Sequence, residues 1–273
     1  MVIYLTTKNI IFAQIFRFLS SLFVNKNIDI MRFTNTSNPA LTNKAFQLQA
    51  DGQAMTISGA INKSIVLFLL LVAAASVSWR LALSGNELVF KLLWPSAILG
   101  FVIALITIFA KKYSPITAPL YAIVEGFFLG AISMVYNSLY NGIVLQAVLL
   151  TAGIMGVMLF AYKTGLIKVT QKFRSGVFIA TGGIALVYVV SFIMNMFGTQ
   201  MPYIHDSGPI GIGISLFIVV IAALNLVLDF SFIDEAAKSG APKYMEWYSA
   251  FGLMVTLIWL YLEILRLLSK LRN

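Results

Sequence analysis

The pattern of apolar and polar positions divides most of this chain into long, largely apolar runs separated by short polar breaks. An α-helix rises about 1.5 Å per residue and the hydrocarbon layer of a bilayer is about 30 Å thick, so about 20 apolar residues can cross it. Seven runs of this length lie near residues 64–83, 92–110, 116–136, 143–162, 177–197, 209–229 and 247–266. The pattern therefore predicts an all-α integral membrane bundle of seven transmembrane helices.

The breaks between the runs are short and carry turn residues or charges, so the runs are expected to pack as one transmembrane domain over residues 64–273. Residues 1–63 are expected to form a mobile tail, because residues 35–63 have no apolar face strong enough to demand burial. Residues 1–30 contain an apolar patch that Arg17 interrupts and that lacks a clear cleavage site. Met31 opens a more typical polar start, so we expect residues 1–30 to be an upstream extension.

Composition supports a lipid-facing surface and argues against catalysis. Hydrophobic residues make up 60% of the chain and charged residues only 11%, whereas a soluble domain has about 25% charged residues. The chain has no cysteine and one histidine, and it contains no H-E-x-x-H, Walker or G-x-S-x-G motif. The sequence therefore predicts a protein that is not an enzyme and holds no metal or cofactor.

The net charge of +9 reflects membrane topology better than nucleic-acid binding. Basic residues stand singly or in pairs between the apolar runs and form no long patch with interleaved aromatics. Lysine and arginine favour cytoplasmic loops, which predicts a cytoplasmic amino terminus. The basic stretch from Arg266 to Arg272 conflicts with a seventh crossing. A re-entrant last segment would resolve this conflict.

The sixth run ends in a lone carboxylate, Asp229, which is costly in an apolar segment unless it faces a partner, an ion or water. At 100° per residue, Ser215, Ala222, Asn225 and Asp229 lie within about 80° of one another and form a polar stripe. The amide of Asn225 is expected to reach the Asp229 carboxyl group or to share an ion with it. Simple hydration at the membrane interface is the alternative for Asp229.

The last run carries a similar stripe, with Ser249, Thr256 and Glu263 at seven-residue spacing and Gly252 beside them. The two striped helices could face each other across a wet seam. Glu263 precedes Arg266 by three residues, so a local ion pair is the alternative to a role in an ion pathway.

Two further acids are candidates for the same pathway. Glu125 lies near the middle of the third run, where a carboxylate is rarely accidental, although a neutral acid bonded to a neighbouring helix would also explain it. Gly126 and Gly130 follow it as a small-xxx-small pair that permits close helix contact. Glu246 lies near the start of the last run, where hydration alone is the alternative.

The segments ALNLVLDFSFID, APKYMEWYSAFGLMVTLIWLYLEILRLLSKL and SPITAPLYAIVEGFFLGAIS resemble the Bax inhibitor-1 family, in its bacterial YccA-like branch, over about residues 60–270. The resemblance implies a protein of the bacterial inner membrane with a central last helix wrapped by the other six. It also implies a pH-sensitive calcium leak controlled by paired aspartates near the cytoplasmic end. Asp229 matches the first aspartate, and Thr256 stands where such relatives carry the second. Glu125, Glu246 or Glu263 could substitute for it.

Two functions therefore remain open. The first is a leak channel for calcium ions or protons, with Asp229 as the sensor and with Glu125 and Asn225 along the route. The second is a regulatory protein that transports nothing and binds a membrane protease or another membrane complex through residues 32–63. The YccA-like resemblance implies the second, because relatives there are associated with control of a membrane-bound protease. The expected partners are thus the lipid bilayer, calcium ions or protons, and a membrane protease, with no nucleic acid.

Overall fold

The computed structural model describes residues 54–199, 201 and 206–273. The expected extension over residues 1–30, and most of the expected tail, lie outside these residues. Within them the chain forms seven helices that are long and apolar enough to cross a membrane. The helices are α1 Ile57–Leu83, α2 Glu87–Phe109, α3 Ser114–Leu139, α4 Ile143–Lys163, α5 Gln171–Met196, α6 Pro209–Lys238 and α7 Met245–Leu271. The predicted all-α membrane bundle is confirmed.

The first helix begins at Ile57 rather than near residue 64. Thr56 provides the reason, because its hydroxyl accepts a hydrogen bond of 2.9 Å from the Gly59 amide and so caps the helix. The amide of the preceding residue, Met55, donates to the Ala241 carbonyl at 2.8 Å. Residues 54–63 therefore belong to the bundle, although their polar composition suggested a tail.

The last helix is the centre of the bundle. Helix α7 packs extensively against α1, α3, α4 and α6. Within its hydrophobic stretch 72% of the residues are buried, against 17% in α4, so α7 has the character of a core element while α4 faces outward. The helix runs unbroken over 27 residues, which makes the re-entrant alternative wrong. The resemblance implied that all six other helices wrap α7. Four of them pack extensively against it in the described structure.

The basic end of α7 finds partners within the protein. Lys270 Nζ donates to the Gly211 carbonyl at 2.9 Å. Arg272 donates to the side chain of Gln146 at 2.8 Å. Arg266 is also buried, in a cluster with Glu263 that is considered with the candidate site. These contacts remove the conflict that had suggested a re-entrant segment, because the basic side chains are held by the bundle itself.

Helices α1 and α3 approach each other closely because α3 carries glycine where the backbones meet. A Cβ atom at Gly126 would collide with the carbonyl oxygen of Leu71. One at Gly130 would collide with the carbonyl oxygen of Ala75. The small-xxx-small pair therefore permits close helix contact, as expected.

We predict that Gly130→Ala lowers the free energy of unfolding by about 1–3 kcal/mol, because the added methyl group forces α1 and α3 apart. Thermal unfolding in detergent micelles, followed by circular dichroism, measures the effect. Gly153→Ala is the matched control, since a Cβ atom at Gly153 of α4 meets nothing within 4 Å. Equal melting temperatures for the two variants would contradict the close-packing account.

Candidate functional site

Asp229 lies inside the bundle rather than at a hydrated rim. It stands nine residues before the last residue of α6, Lys238, which places it about 14 Å from that helix end. Its side chain is only 5% exposed, which rules out simple hydration at the interface. Among the described residues, Asp229 Oδ2 has no hydrogen-bond partner. The group is therefore a buried carboxyl with one oxygen available to a water molecule, an ion or a proton.

The polar contact that Asp229 does make comes from the central helix, α7. The Asp229 carboxyl group is hydrogen-bonded to the Thr256 side chain. Thr256 Oγ1 also lies 3.3 Å from the Gly252 carbonyl oxygen, one turn earlier in α7, and donates to it. A hydroxyl group has a single hydrogen but can also accept. Thr256 can therefore accept from a protonated Asp229, or turn its hydrogen toward an ionised one.

The two polar stripes predicted on the sixth and last runs meet at this contact. Helices α6 and α7 pack extensively against each other. Ser215 and Asn225 on α6 are buried, as are Ser249 and Glu263 on α7. The hydroxyl of Ser249 also lacks a hydrogen-bond partner among the described residues. We call this α6–α7 contact, centred on Asp229 and Thr256, the seam.

Asn225 differs from its expected role. Its amide nitrogen donates to Thr181 Oγ1 of α5 at 2.8 Å and to the Ile221 carbonyl oxygen at 2.8 Å. The expectation that the Asn225 NH₂ group donates to the Asp229 carboxyl group is wrong, because both of its hydrogens are used in these two bonds. Asn225 instead anchors the neighbouring helix beside the seam.

Glu125 is buried as expected, with 2% exposure, but it lies at a different helix interface. A Cβ atom at Gly100 of α2 would stand 2.7 Å from Glu125 Oε2, so the acid occupies space that this glycine leaves open. In the described part of the chain, α3 and α6 do not pack extensively against each other. The structure therefore does not bring Glu125 into the seam with Asp229.

Glu246 fastens the start of α1 to the start of α7. Its Oε1 accepts hydrogen bonds from the Thr56 amide at 3.0 Å and from the Thr56 hydroxyl at 3.1 Å. Lys243 Nζ forms an ion pair with the same oxygen at 3.0 Å. The side chain is 1% exposed, so hydration alone does not account for it. Glu246 precedes Thr256 by ten positions, about 15 Å along the helix.

Glu263 belongs to a buried cluster on the opposite side of Thr256. Its Oε1 accepts from Tyr188 Oη at 2.8 Å and from Trp259 Nε1 at 3.2 Å. Arg266 lies 3.4 Å from its Oε2, which confirms the predicted local ion pair. Arg266 also donates to Tyr188 Oη at 2.6 Å. The acids of the central helix are therefore fully engaged at its two ends, and Thr256 stands between them.

A third polar stripe, on α5, was missed from the sequence. Arg174, Thr181, Tyr188 and Asn195 recur every seven residues, so they share one face of the helix. Arg174 Nη2 pairs with Glu235 Oε1 of α6 at 2.5 Å. The next two residues of the stripe bind Asn225 and Glu263, as described above. The seven-residue recurrence of polar residues within an apolar run was the available signal.

These contacts matter because α5 has few others. Among the described helices, α5 packs extensively only against α6. A helix in lipid gains no hydrophobic driving force from a neighbour, so polar contacts and close packing determine its position. The polar contacts of the α5 stripe therefore determine the position of α5 beside the seam.

Comparison with known proteins supports a family assignment. A family model described as Bax inhibitor 1 like matches residues 38–273, which include all seven helices and every candidate residue. Comparisons with curated proteins and with solved structures gave no match.

We predict that Thr181→Val and Asn225→Leu are energetically coupled, since each removes one partner of a buried hydrogen bond. The expected coupling energy is about 0.6 kcal/mol and at most about 1.7 kcal/mol, the range of such bonds between membrane helices. A double-mutant cycle of unfolding in mixed micelles measures it. Strict additivity would contradict the anchoring role of this bond.

We predict that Arg266→Met lowers the free energy of unfolding by about 3–5 kcal/mol, because it leaves Glu263 buried without its ionic partner. The double variant Glu263→Gln/Arg266→Met serves as the control, and it should recover much of the loss. Unfolding in mixed micelles again provides the measurement. A double variant as unstable as Arg266→Met would show that lost packing, not the unpaired charge, causes the effect.

Proposed function

The chain belongs to the Bax inhibitor 1 like family, and from this premise we propose that it forms a passive leak for calcium ions or protons, gated by protonation of an intramembrane carboxyl group. The observation that carries the proposal is the buried Asp229, whose Oδ2 lacks a hydrogen-bond partner among the described residues. Membership of the chain in the YccA-like branch of this family stays a prediction from the sequence.

The gating argument follows from the cost of a charge inside the bundle. An ionised carboxylate in an apolar interior is strongly unfavourable unless water or a partner solvates it. A neutral Asp229 fits the closed seam, where Thr256 is its hydrogen-bond partner. Ionisation would favour entry of water between α6 and α7. We therefore infer that the seam opens when Asp229 loses its proton.

The other candidate acids receive supporting roles in this proposal. Glu246 holds the start of α1, and Glu263 holds Arg266 and Tyr188. Glu125 fills space against Gly100, away from the seam. Asp229 is thus assigned as the sensor, with Thr256 as its partner. The proposal requires no catalytic residue and no cofactor.

We further propose a cytoplasmic amino terminus in a bacterial inner membrane. The alternating direction of seven helices places one set of basic residues at the end of the bundle where α1 begins, which suits the cytoplasmic side. This set contains Lys63, Lys111, Lys112, Lys163, Lys168, Lys172, Arg174, Lys238 and Lys243.

The alternative function, regulation of a membrane protease, depends on residues 32–63. Residues 54–63 of this range are described, and their contacts are with the bundle itself. No described contact favours a protease partner over a leak, so this alternative stays a prediction from the resemblance.

We predict that the purified protein in liposomes releases calcium ions or protons faster at about pH 8 than at about pH 6, because a higher pH ionises more of the Asp229 carboxyl groups. Asp229→Asn, which cannot ionise, should give a low flux at both pH values. A calcium dye and a proton dye, each enclosed in the vesicles, provide the measurement.

The control for this experiment is Glu87→Gln, which removes a carboxylate whose side chain is 82% exposed at the start of α2. It should keep the flux and pH dependence of the unmodified protein. If neither ion leaves protein-bearing vesicles faster than empty ones, the leak proposal fails. An unchanged pH dependence in Asp229→Asn would remove Asp229 as the sensor.

A further inference from the structure

In the described structure no second carboxylate interacts with Asp229. Of the side-chain interactions that act on the Asp229 carboxyl group in the described structure, only the Thr256 hydrogen bond is polar. Helices α1, α4, α5 and α7 pack against α6, and their charged groups are engaged elsewhere or lie exposed at helix ends. The engaged pairs are Lys63 with Trp247, Arg174 with Glu235, Lys243 with Glu246, Arg266 with Glu263, and Lys270 with Gly211. The remaining charges on α6 also pair, since Asp234 accepts from Tyr162 and lies near Lys238.

This environment is poorly matched to a calcium ion. Calcium takes about 6–8 oxygen ligands at about 2.3–2.6 Å, and its sites in proteins usually combine several carboxylates with carbonyl groups. The side-chain oxygens that this contact brings together are those of the Asp229 carboxyl group and the Thr256 hydroxyl. The described residues contain no group of three or more acidic, histidine or cysteine side chains that could hold a metal. One negative charge leaves a divalent ion half neutralised in an apolar interior.

The same environment is well matched to a proton. Protonation forms one O–H bond on the Asp229 carboxylate and leaves the group neutral, so a single acid suffices. Deprotonation breaks that bond and passes the proton to a water molecule that enters the seam. Thr256 can serve both states, because its hydroxyl accepts from the neutral acid while donating to Gly252, or donates to the carboxylate.

On the basis of the proposed leak, we propose that the seam passes protons and excludes calcium ions, and that Thr256 determines this specificity. A second acid at position 256 would give the seam two adjacent carboxyl groups, the combination that suits a divalent cation. Because position 256 is a threonine, no second carboxyl group stands beside Asp229 at this contact.

Liposomes that contain the full chain, valinomycin and potassium on both sides test this proposal, because potassium movement compensates the charge of each transported proton. The unmodified protein should raise the proton flux above that of empty vesicles and leave the calcium flux at the level of empty vesicles. Thr256→Asp should raise the calcium flux to at least about ten times that of empty vesicles. Thr256→Asn, of similar size but uncharged, should not.

The outcomes separate this inference from the leak itself. Calcium flux through the unmodified protein, above that of empty vesicles, would overturn the inference and leave the leak intact. Movement of neither ion would overturn both. If Thr256→Asp elutes as a folded monodisperse protein and carries protons but no calcium, Thr256 does not determine the specificity. If that variant does not fold, the two fluxes of the unmodified protein still decide whether calcium is excluded.

Discussion

The absence of water from the hydrocarbon layer is the constraint on which this structure depends. A polar side chain there must find its partner inside the protein, because lipid offers none. Helix α7 carries six of the eighteen buried polar or charged side chains among the described residues, more than any other helix, and it is also the most enclosed helix. Toward its two ends, Glu246 and Glu263 each accept more than one hydrogen bond. In the middle of the helix, Thr256 meets the Asp229 carboxyl group, one oxygen of which has no hydrogen-bond partner among the described residues.

This distribution gives the central helix two rigid ends and a polar middle. Glu246 ties α7 to α1, and the Glu263 cluster ties it to α5. Charge-assisted hydrogen bonds of this kind are costly to break in a low dielectric. The Asp229–Thr256 contact is a single bond between groups that can both donate and accept. Changes of protonation should therefore alter the seam without dissolving the bundle around it.

The sequence was sufficient for the fold, and it singled out acids that the structure buries, although hydration stayed open for Asp229 and Glu246. Runs of apolar residues report helix length directly, and a carboxylate in such a run is informative because its cost in lipid is high. Side-chain direction was harder to predict. Glu125 faces Gly100, and Asn225 turns its nitrogen to Thr181, because tertiary packing decides which neighbour a buried polar group meets. The start of α1 was placed too late, although its cap is local, because the Thr56 hydroxyl accepts from the Gly59 amide. The bonds of Thr56 with Glu246 span about 190 residues, a separation that local patterns do not record.

The stripe on α5 shows why a pattern can be present and still be overlooked. Arg174, Thr181 and Tyr188 are chemically unlike, and each has an ordinary local explanation when it is considered alone. Their shared face becomes meaningful only because each reaches a different polar group of α6 or α7. In lipid, such widely spaced bonds can position a helix that has little packing of its own. The wall of the seam is thus held by polar contacts on one side and by lipid on the other, an arrangement in which the state of one buried acid can influence helix position.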